Sequence, residues 1–343
     1  MKKNPYTLLF GKKPGQIISR LAQVMPIVDV FDDDDPSQQI YMITGVRGSG
    51  KTVFMTEVAS RLEKHDEWIS IELNPEKNLL DNLIAKLNAH ESVSGIIRSA
   101  KINLSFWGVG IDIKGTPQIT DNETAIIRIM EGIKKHGKKL LITIDEVTNS
   151  QTMKEFAAAF QIFIRHDLPV YLLMTGLFEN ISRLENEKSL TFLYRAPKIN
   201  IKPLDMSTMT ANYQKNFKLE RDIALEMARS TRGYSFAFQV MGYFTWEYDG
   251  DYRAAMGDYK QYLNDYVYEK IWSELSEEDK RVLKAMAAVP SGQIQAIREI
   301  LNIDTNHFNP YRKRLIQKGI IDGSERGVIR FVLPYFEDYV NDN

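Results

Sequence analysis

The sequence predicts an α/β protein with a doubly wound parallel sheet, followed by an α-helical lid and a C-terminal winged-helix domain. Apolar runs of strand length alternate with amphipathic helical segments in the first part of the chain, as is typical of parallel strands joined by crossover helices. A helical pattern without strands follows, and the last segment contains short helices and two short strands. We therefore expect three domains, at residues 1–203, 204–268 and 269–343.

Composition excludes several classes of protein. The chain has 343 residues, a formal net charge of -1 and no cysteine. This charge provides no global attraction to nucleic acid or to anionic membranes, and the lack of cysteine excludes disulfides and cysteine-ligated zinc. The five histidines show no metal-ligand spacing. We find neither a signal peptide nor a run of eighteen apolar residues, so we expect a cytoplasmic protein without membrane contact.

The first forty residues precede the sheet. Residues 4–20 are punctuated by proline and glycine, which predicts a loop that leads into a helix of one or two turns. Asp32 to Asp35 form an acidic run. We interpret the run as a solvated loop rather than a metal site, because four adjacent carboxylates do not converge on one point.

A glycine-rich stretch then connects a predicted strand to a predicted helix. Residues 45–52 match the pattern G-x-x-x-x-G-K-T, between the apolar run 40–43 and a helix with Phe54, Val58 and Leu62 on one face. Glycines let backbone N–H groups approach a phosphate, and the helix start adds its positive dipole end. The alternative, a glycine turn with an incidental lysine, is disfavoured by the flanking strand and helix. The pattern therefore predicts a nucleotide-binding P-loop formed by Gly45, Val46, Arg47, Gly48, Ser49, Gly50, Lys51, Thr52 and Val53.

Two side chains of this motif have chemical roles of their own. Lys51 provides a mobile charge for the β- and γ-phosphates, and the Thr52 hydroxyl can bind Mg²⁺. The chain continues with a strand at 68–73, a helix at 77–90 and a candidate β-hairpin at 101–114. Trp107 at the hairpin tip is expected to pack rather than to contact a partner.

Polar residues end the next two predicted strands. The buried strand 139–144 runs into Asp145 and Glu146, at the strand end where open α/β sheets bind ligands. Asp145 can hold Mg²⁺ through water, and Glu146 can orient and polarise the attacking water. The strand 169–176 contains Thr175 near its end. Thr175 either senses the γ-phosphate or bonds to a turn, and the sequence does not choose between them.

The C-terminal third contains the candidate partner surface. Residues 205–265 are helical with a break at Gly233, and the last part contains helices at 276–288, 294–301 and 306–318 before two short strands. This order describes a winged helix. Its third helix places Arg314 and Lys318 on one face, next to Arg312, and we expect phosphate contacts with double-stranded DNA there. Protein docking by the same module is the alternative.

The order of these parts resembles the AAA+ superfamily of P-loop ATPases. Within it, the chain is most similar to prokaryotic AAA-type and STAND-like ATPases related to archaeal origin-recognition proteins. The resemblance implies an AAA+ core that binds ATP or ADP with Mg²⁺, with Phe10 and Gly11 in an opening segment that borders the adenine. It also implies that Asp145 and Glu146 are the Walker B pair and that Thr175 is at the sensor-1 position.

Further implications concern the lid and a neighbouring subunit. Arg195 resembles an arginine finger, which would reach the nucleotide of a second copy and implies a homo-oligomer. Phe236 stands roughly where the family has its sensor-2 arginine, Arg232 is nearby but offset, and Thr175 replaces the more usual asparagine. These departures are consistent with a low hydrolysis rate.

Three functions remain open at this point. The first is an ATPase that acts as a nucleotide-driven switch, coupled to a winged helix that binds DNA or a partner. The second is a regulatory DNA-binding protein that binds nucleotide without hydrolysing it. The third is a STAND-type signalling or defence scaffold.

Overall fold

The computed structural model describes residues 3–9, 14–107 and 119–343. The chain forms two compact units. The sheet unit consists of Leu21–Thr44 and Lys51–Asn200, and the lid unit consists of Met1–Arg20, Gly45–Gly50 and Ile201–Asn343.

The sheet unit contains a parallel five-stranded sheet in the order β2-β3-β4-β1-β5. Residue Ile43 of β1 is in register with Thr175 of β4, and Ile144 of β3 with Met174. The last residues of these three strands therefore lie side by side at one edge of the sheet. The strands are β1 (Ile40–Thr44), β2 (Trp68–Leu73), β3 (Lys139–Ile144), β4 (Val170–Gly176) and β5 (Lys198–Asn200).

Helices cover both faces of this sheet. Alternate strand residues such as Ile142 and Leu172 belong to one buried cluster with α3 to α7, whereas Tyr41 and Tyr171 on the other face pack against Phe31 of α1. The predicted doubly wound α/β fold is confirmed. The helices are α1 (Leu21–Asp32), α2 (Lys51–Leu62), α3 (Leu79–Ala89), α4 (Glu91–Ser99), α5 (Asn122–Lys135), α6 (Gln151–Arg165) and α7 (Phe178–Glu185).

The first helix is longer than the sequence patterns suggested. Helix α1 has 12 residues and contains Pro26, where a helix of one or two turns was expected. Val24, Ile27, Val28 and Phe31 are buried along one side of it. Burial of this apolar stripe offsets the cost of a proline inside the helix. Local helix propensity does not include this burial and therefore predicts too short a helix.

The predicted β-hairpin at 101–114 falls mostly outside the described residues. In the described part, Ser105–Trp107 form a 3-10 turn instead of a strand. The Asn103 side chain accepts from the Ser105 amide and hydroxyl, and such local bonds favour a turn over a strand. The Trp107 indole donates to Asn122 Oδ1 at 2.7 Å and packs against the core, as expected for a structural residue.

In its described residues, the lid unit is helical apart from one antiparallel pair of two-residue strands. An aromatic-rich core that includes Tyr213, Phe238, Tyr268, Phe308 and Phe336 connects its helices. The elements are α8 (Met206–Phe217), α9 (Arg221–Arg229), α10 (Ser235–Glu247), α11 (Met256–Leu263), a π-helical turn (Asn264–Tyr268), α12 (Glu269–Ser273), α13 (Glu277–Ala287), α14 (Ile294–Leu301), α15 (Thr305–Gln317), β6 (Ile321–Asp322), β7 (Arg330–Phe331) and α16 (Phe336–Asp342).

The helix starts follow from local sequence. The side chains of Asn78, Asp121, Ser150, Asp205 and Ser276 each accept from the amide three residues on, which satisfies an otherwise unpaired donor. In the described part of the chain, no helix is both long and apolar enough to cross a membrane.

Candidate functional site

The segment Gly45–Gly50 curls tightly. Gly48 and Gly50 have φ angles of 70° and 91°, in the region where a side chain would be strained. The Ser49 amide donates to Val46 O at 3.2 Å. The Ser49 hydroxyl is buried and has no partner among the described residues. This unsatisfied donor in a glycine curl fits a loop that receives an anion.

The motif continues along the chain into the first turn of α2. Lys51 is the first residue of this helix and is only 9% exposed. Val53 is half-buried, and the exposed Thr52 donates its hydroxyl to Asp145 Oδ2 at 2.7 Å. A helix N-terminus attracts anions through its dipole and its unpaired amides. The position of Lys51 and Thr52 therefore suits a phosphate and its counter-ion.

The two acids lie at the end of β3, as their sequence position predicted. The Asp145 carboxylate accepts from the Thr52 hydroxyl with one oxygen and from the Thr175 hydroxyl with the other. The Glu146 amide donates to Thr175 Oγ1 and to Asp145 Oδ1, both at 3.1 Å. Thr175 thus holds the Asp145 carboxylate and the backbone of Glu146, and its own hydroxyl donates to Asp145.

Glu146 has an unusual backbone. Its φ angle is 54°, a left-handed conformation that is uncommon for a residue other than glycine. The Val147 amide, which follows, donates to Thr175 O at 2.8 Å. Strained backbone of this kind persists where surrounding bonds determine it, often at functional sites. The Glu146 side chain is exposed.

The remaining predicted site residues have different surroundings. Arg195 ends a 3-10 helix, Leu193–Arg195, and is exposed just before β5. Phe10 and Gly11 lie outside the described residues. Arg232 donates to Phe331 O and Leu333 O and pairs with Glu337, so this arginine is held by C-terminal residues of its own unit.

Sequence reasoning missed a second group of residues near the curl. The Arg20 guanidinium and the hydroxyls of Tyr234 and Ser235 donate to carbonyl oxygens of Arg47 and Ser49. In the sequence, the break at Gly233 indicates that a helix starts near Tyr234. It does not indicate which residues the start of this helix contacts.

The structure gives Arg314 and Lys318, which were expected to contact DNA, a partner within their own unit. Both side chains share one face of α15, as predicted, but this face points at Asp279, which is 1% exposed. Arg314 Nη2 lies 2.6 Å from Asp279 Oδ1, and Lys318 Nζ lies 3.7 Å from Oδ2. The Arg312 side chain donates to Gly323 O at 3.0 Å. These cations satisfy acceptors inside the lid unit, because a buried carboxylate requires partners.

Replacing Arg314 should therefore destabilise the fold. We expect Arg314→Ala to lower the free energy of unfolding by about 1–3 kcal/mol, since it leaves the buried Asp279 carboxylate with a poorer partner. Urea denaturation would measure this. Lys313→Ala, on an exposed neighbour in the same helix, is the matched control and should change stability by less than about 0.5 kcal/mol. Equal stability of the two variants would contradict a structural role for Arg314.

One group of potential metal ligands occurs among the described residues. Ligand atoms of Asp32, His65 and Glu67 lie within 4.8 Å of one another. Burial would raise the pKa of Asp32, but hydrogen bonds from Trp68 and His65 lower it. The Trp68 indole donates to Asp32 at 2.9 Å. These bonds account for the group without an ion, and Asp33 to Asp35 are exposed, as expected for a solvated loop.

Comparison with protein-family models identifies the class of protein. A model described as an ATPase domain predominantly from Archaea matches residues 33–218, which is more than half of the chain. The chain belongs to this ATPase family. The predicted P-loop ATPase of archaeal type is thereby confirmed. A second model, described as a domain of unknown function, matches residues 265–340 of the ATPase. A search of curated proteins found no match.

Several solved structures are similar to the ATPase over most of its length. A Walker-type ATPase of Pyrococcus abyssi is 16% identical, with 94% of this chain and 96% of that chain covered and a TM-score of 0.65. Cdc6p from Pyrobaculum aerophilum is 13% identical, with coverage of 97% and 95% and a TM-score of 0.47. The Aeropyrum pernix ORC1 protein in complex with DNA is 14% identical, with coverage of 96% and 94% and a TM-score of 0.45. The first of these likenesses establishes the fold alone.

Proposed function

We propose that this protein binds ATP with Mg²⁺ and hydrolyses it slowly, as a nucleotide-driven switch. The main observation behind this proposal is that the Asp145 carboxylate accepts hydrogen bonds from the hydroxyls of both Thr52 and Thr175. Thr52 and Asp145 are the hydroxyl and carboxylate that a Mg²⁺ site in a P-loop ATPase uses. Family membership supports ATP as the nucleotide.

Each residue has a distinct part in this proposal. Lys51 and the amides of the Gly45–Gly50 curl bind the phosphates, and Thr52 and Asp145 hold Mg²⁺, which neutralises charge on the phosphates when bound. Glu146 accepts a proton from the attacking water, or orients this water for attack. Thr175 keeps the two acids in position through its bonds to both.

The direct test uses the purified full chain. Its nucleotide content and its ATPase rate should be measured with Mg²⁺, with EDTA, and with and without duplex DNA. We expect Mg²⁺-dependent ATP binding and a slow rate that EDTA abolishes. Absence of nucleotide binding in all conditions would overturn the proposal.

A non-hydrolysing regulator is the second candidate. Two observations favour it: the Thr175 hydroxyl proton is directed at Asp145 rather than left for a phosphate, and Arg232 is held by Glu337. Both groups would otherwise be available to recognise a γ-phosphate. Stoichiometric ATP binding without turnover would establish this candidate over the ATPase switch.

We also propose that the C-terminal module, residues 269–343, is a winged helix that contacts DNA through its exposed face. Asn306, Asn309 and Lys313 are exposed along one side of α15, and Arg326 is exposed between β6 and β7. Side chains of these types bind phosphates and base edges. Mobility shift at several salt concentrations tests this, because phosphate contacts make affinity fall steeply with salt. The absence of a mobility shift at every salt concentration would favour protein docking by a regulatory scaffold.

Arg195 provides a test of assembly. If it acts on the nucleotide of a neighbouring copy, specific activity should rise with protein concentration, and Arg195→Ala should lower the rate at high concentration by about 10³-fold. Arg183→Ala, on an exposed arginine of α7, is the matched control and should leave the rate unchanged. A rate independent of concentration in a monomeric sample would exclude this role for Arg195.

A further inference from the structure

Three consecutive carbonyl groups of the P-loop are hydrogen-bonded within the lid unit. The Tyr234 hydroxyl donates to Arg47 O at 2.5 Å, and the Phe236 amide donates to Gly48 O at 3.1 Å. Ser49 O accepts from the Ser235 hydroxyl at 2.8 Å and from Arg20 Nη2 at 3.0 Å. Every peptide oxygen from Arg47 to Ser49 therefore has a partner outside the loop.

Three of the four donors come from the start of one helix, and the fourth is Arg20. Tyr234 is the residue that precedes α10, and Ser235 and Phe236 are its first two residues. Amides at this position have no acceptor within their own helix, so the Phe236 amide is available for the Gly48 carbonyl. A Cβ at Gly48 would collide with the Tyr234 oxygen and would lie 2.9 Å from Phe236 Cβ. The close approach of helix and loop thus requires glycine at position 48.

The orientation of these carbonyls determines the orientation of the amides. In a trans peptide, the N–H group points opposite to the C=O group of the same peptide plane. Carbonyls of residues 47 and 49 that point at the start of α10 and at Arg20 direct the amides of Gly48 and Gly50 to the other side, while the Ser49 amide donates to Val46 O within the loop. Anion binding requires amides that converge on one side of a loop. The contacts with α10 and Arg20 therefore favour a loop conformation that can receive phosphate.

We propose that Tyr234, together with Ser235 and Arg20, positions the P-loop for nucleotide by holding its carbonyl oxygens from outside. The inference rests on the proposed ATP binding. It gives the start of α10 a role in shaping the P-loop, and this role does not require an arginine of the lid to contact the phosphate. At position 236 the group that contacts the loop is the backbone amide. Preorganisation of this kind raises affinity by lowering the cost of ordering the loop.

Tyr234 is suited to this role by its surroundings. Its side chain is 5% exposed, and burial raises the pKa of its hydroxyl well above the usual value. The hydroxyl therefore stays protonated and remains a donor to Arg47 O. The Arg47 side chain also pairs with Glu274 of the same unit at 2.6 Å, so the loop is held at this residue through both its backbone and its side chain.

The test compares two single-atom deletions in the full-length protein. Tyr234→Phe removes the hydroxyl that contacts the loop, whereas the control Tyr213→Phe removes a buried hydroxyl that donates to Phe238 O at 2.9 Å within the lid. Affinity for ATP with Mg²⁺ is measured by calorimetry, and thermal stability by unfolding. We expect Tyr234→Phe to weaken ATP binding about threefold to tenfold, the effect of one lost hydrogen bond, and Tyr213→Phe to leave affinity unchanged despite a similar loss of stability.

The outcomes separate the inference from the proposed function. Wild-type affinity in Tyr234→Phe, or equal weakening in both variants, would overturn the positioning role while ATP binding by the wild type stands. No ATP binding by the wild type would overturn the proposed function itself. If Tyr234→Phe does not fold, Ser235→Ala removes the neighbouring donor to Ser49 O, with the same expected direction. Amide hydrogen exchange of the nucleotide-free variant is a second readout. We expect faster exchange confined to residues 48–50, whereas a general loss of stability would speed exchange elsewhere as well.

Discussion

Lys51→Ala should abolish measurable ATP binding. Lys51 is the first residue of α2 and is largely buried, and its ammonium is the mobile cation of the proposed phosphate site. Loss of a charge-assisted contact costs about 1.5–3 kcal/mol, and the neighbouring amides cannot replace the charge. Calorimetric titration with ATP and Mg²⁺ would show the loss of binding.

A second lysine provides the control for this variant. Lys64 is exposed, just beyond the end of α2. Lys64→Ala removes the same charge from the chain without affecting the loop, so it should retain wild-type affinity. Unchanged ATP affinity in Lys51→Ala, with a folded protein by circular dichroism, would show that the P-loop is not the nucleotide site.

Glu146→Gln should retain ATP binding but lose turnover. Glutamine has nearly the same shape as glutamate, but it cannot accept a proton from the attacking water. The rate should fall by about 10²–10⁴-fold, the usual contribution of a general base. Single-turnover measurements should show ATP that stays bound and uncleaved. The amide of residue 146 would still donate to Thr175 and Asp145, so the backbone of the site should be preserved.

Two further variants make this result specific. Asp145→Asn should weaken Mg²⁺-dependent binding itself, because Asp145 is the carboxylate bonded to Thr52. Glu155→Gln, on an exposed residue of α6, should have no effect on either quantity. A wild-type turnover rate in Glu146→Gln would rule out Glu146 as the residue that activates water. Bound ATP without turnover in the wild type itself would establish the non-hydrolysing candidate instead.

The candidate phosphate site could be proposed from the sequence because its signals are local. The glycines, Lys51 and Thr52 are adjacent along the chain, and the conformations that they need depend on their own backbone. The position of Asp145 was also predictable, since parallel strands place their carboxyl ends at one edge of a sheet. The register of Ile144 with Met174 places Asp145 beside Thr175 at this edge.

Tertiary structure decided the partners of side chains that are distant in sequence. Helical spacing placed Arg314 and Lys318 on one face, but only the fold showed that this face meets Asp279, which lies 35 residues before Arg314. In the same way, the sequence identified a helix start after Gly233, and only the fold showed that Tyr234 donates to Arg47, 187 residues away. Local patterns determine backbone conformation and which residues share a face, whereas the choice of partner depends on how separate helices pack, which no short stretch of sequence encodes.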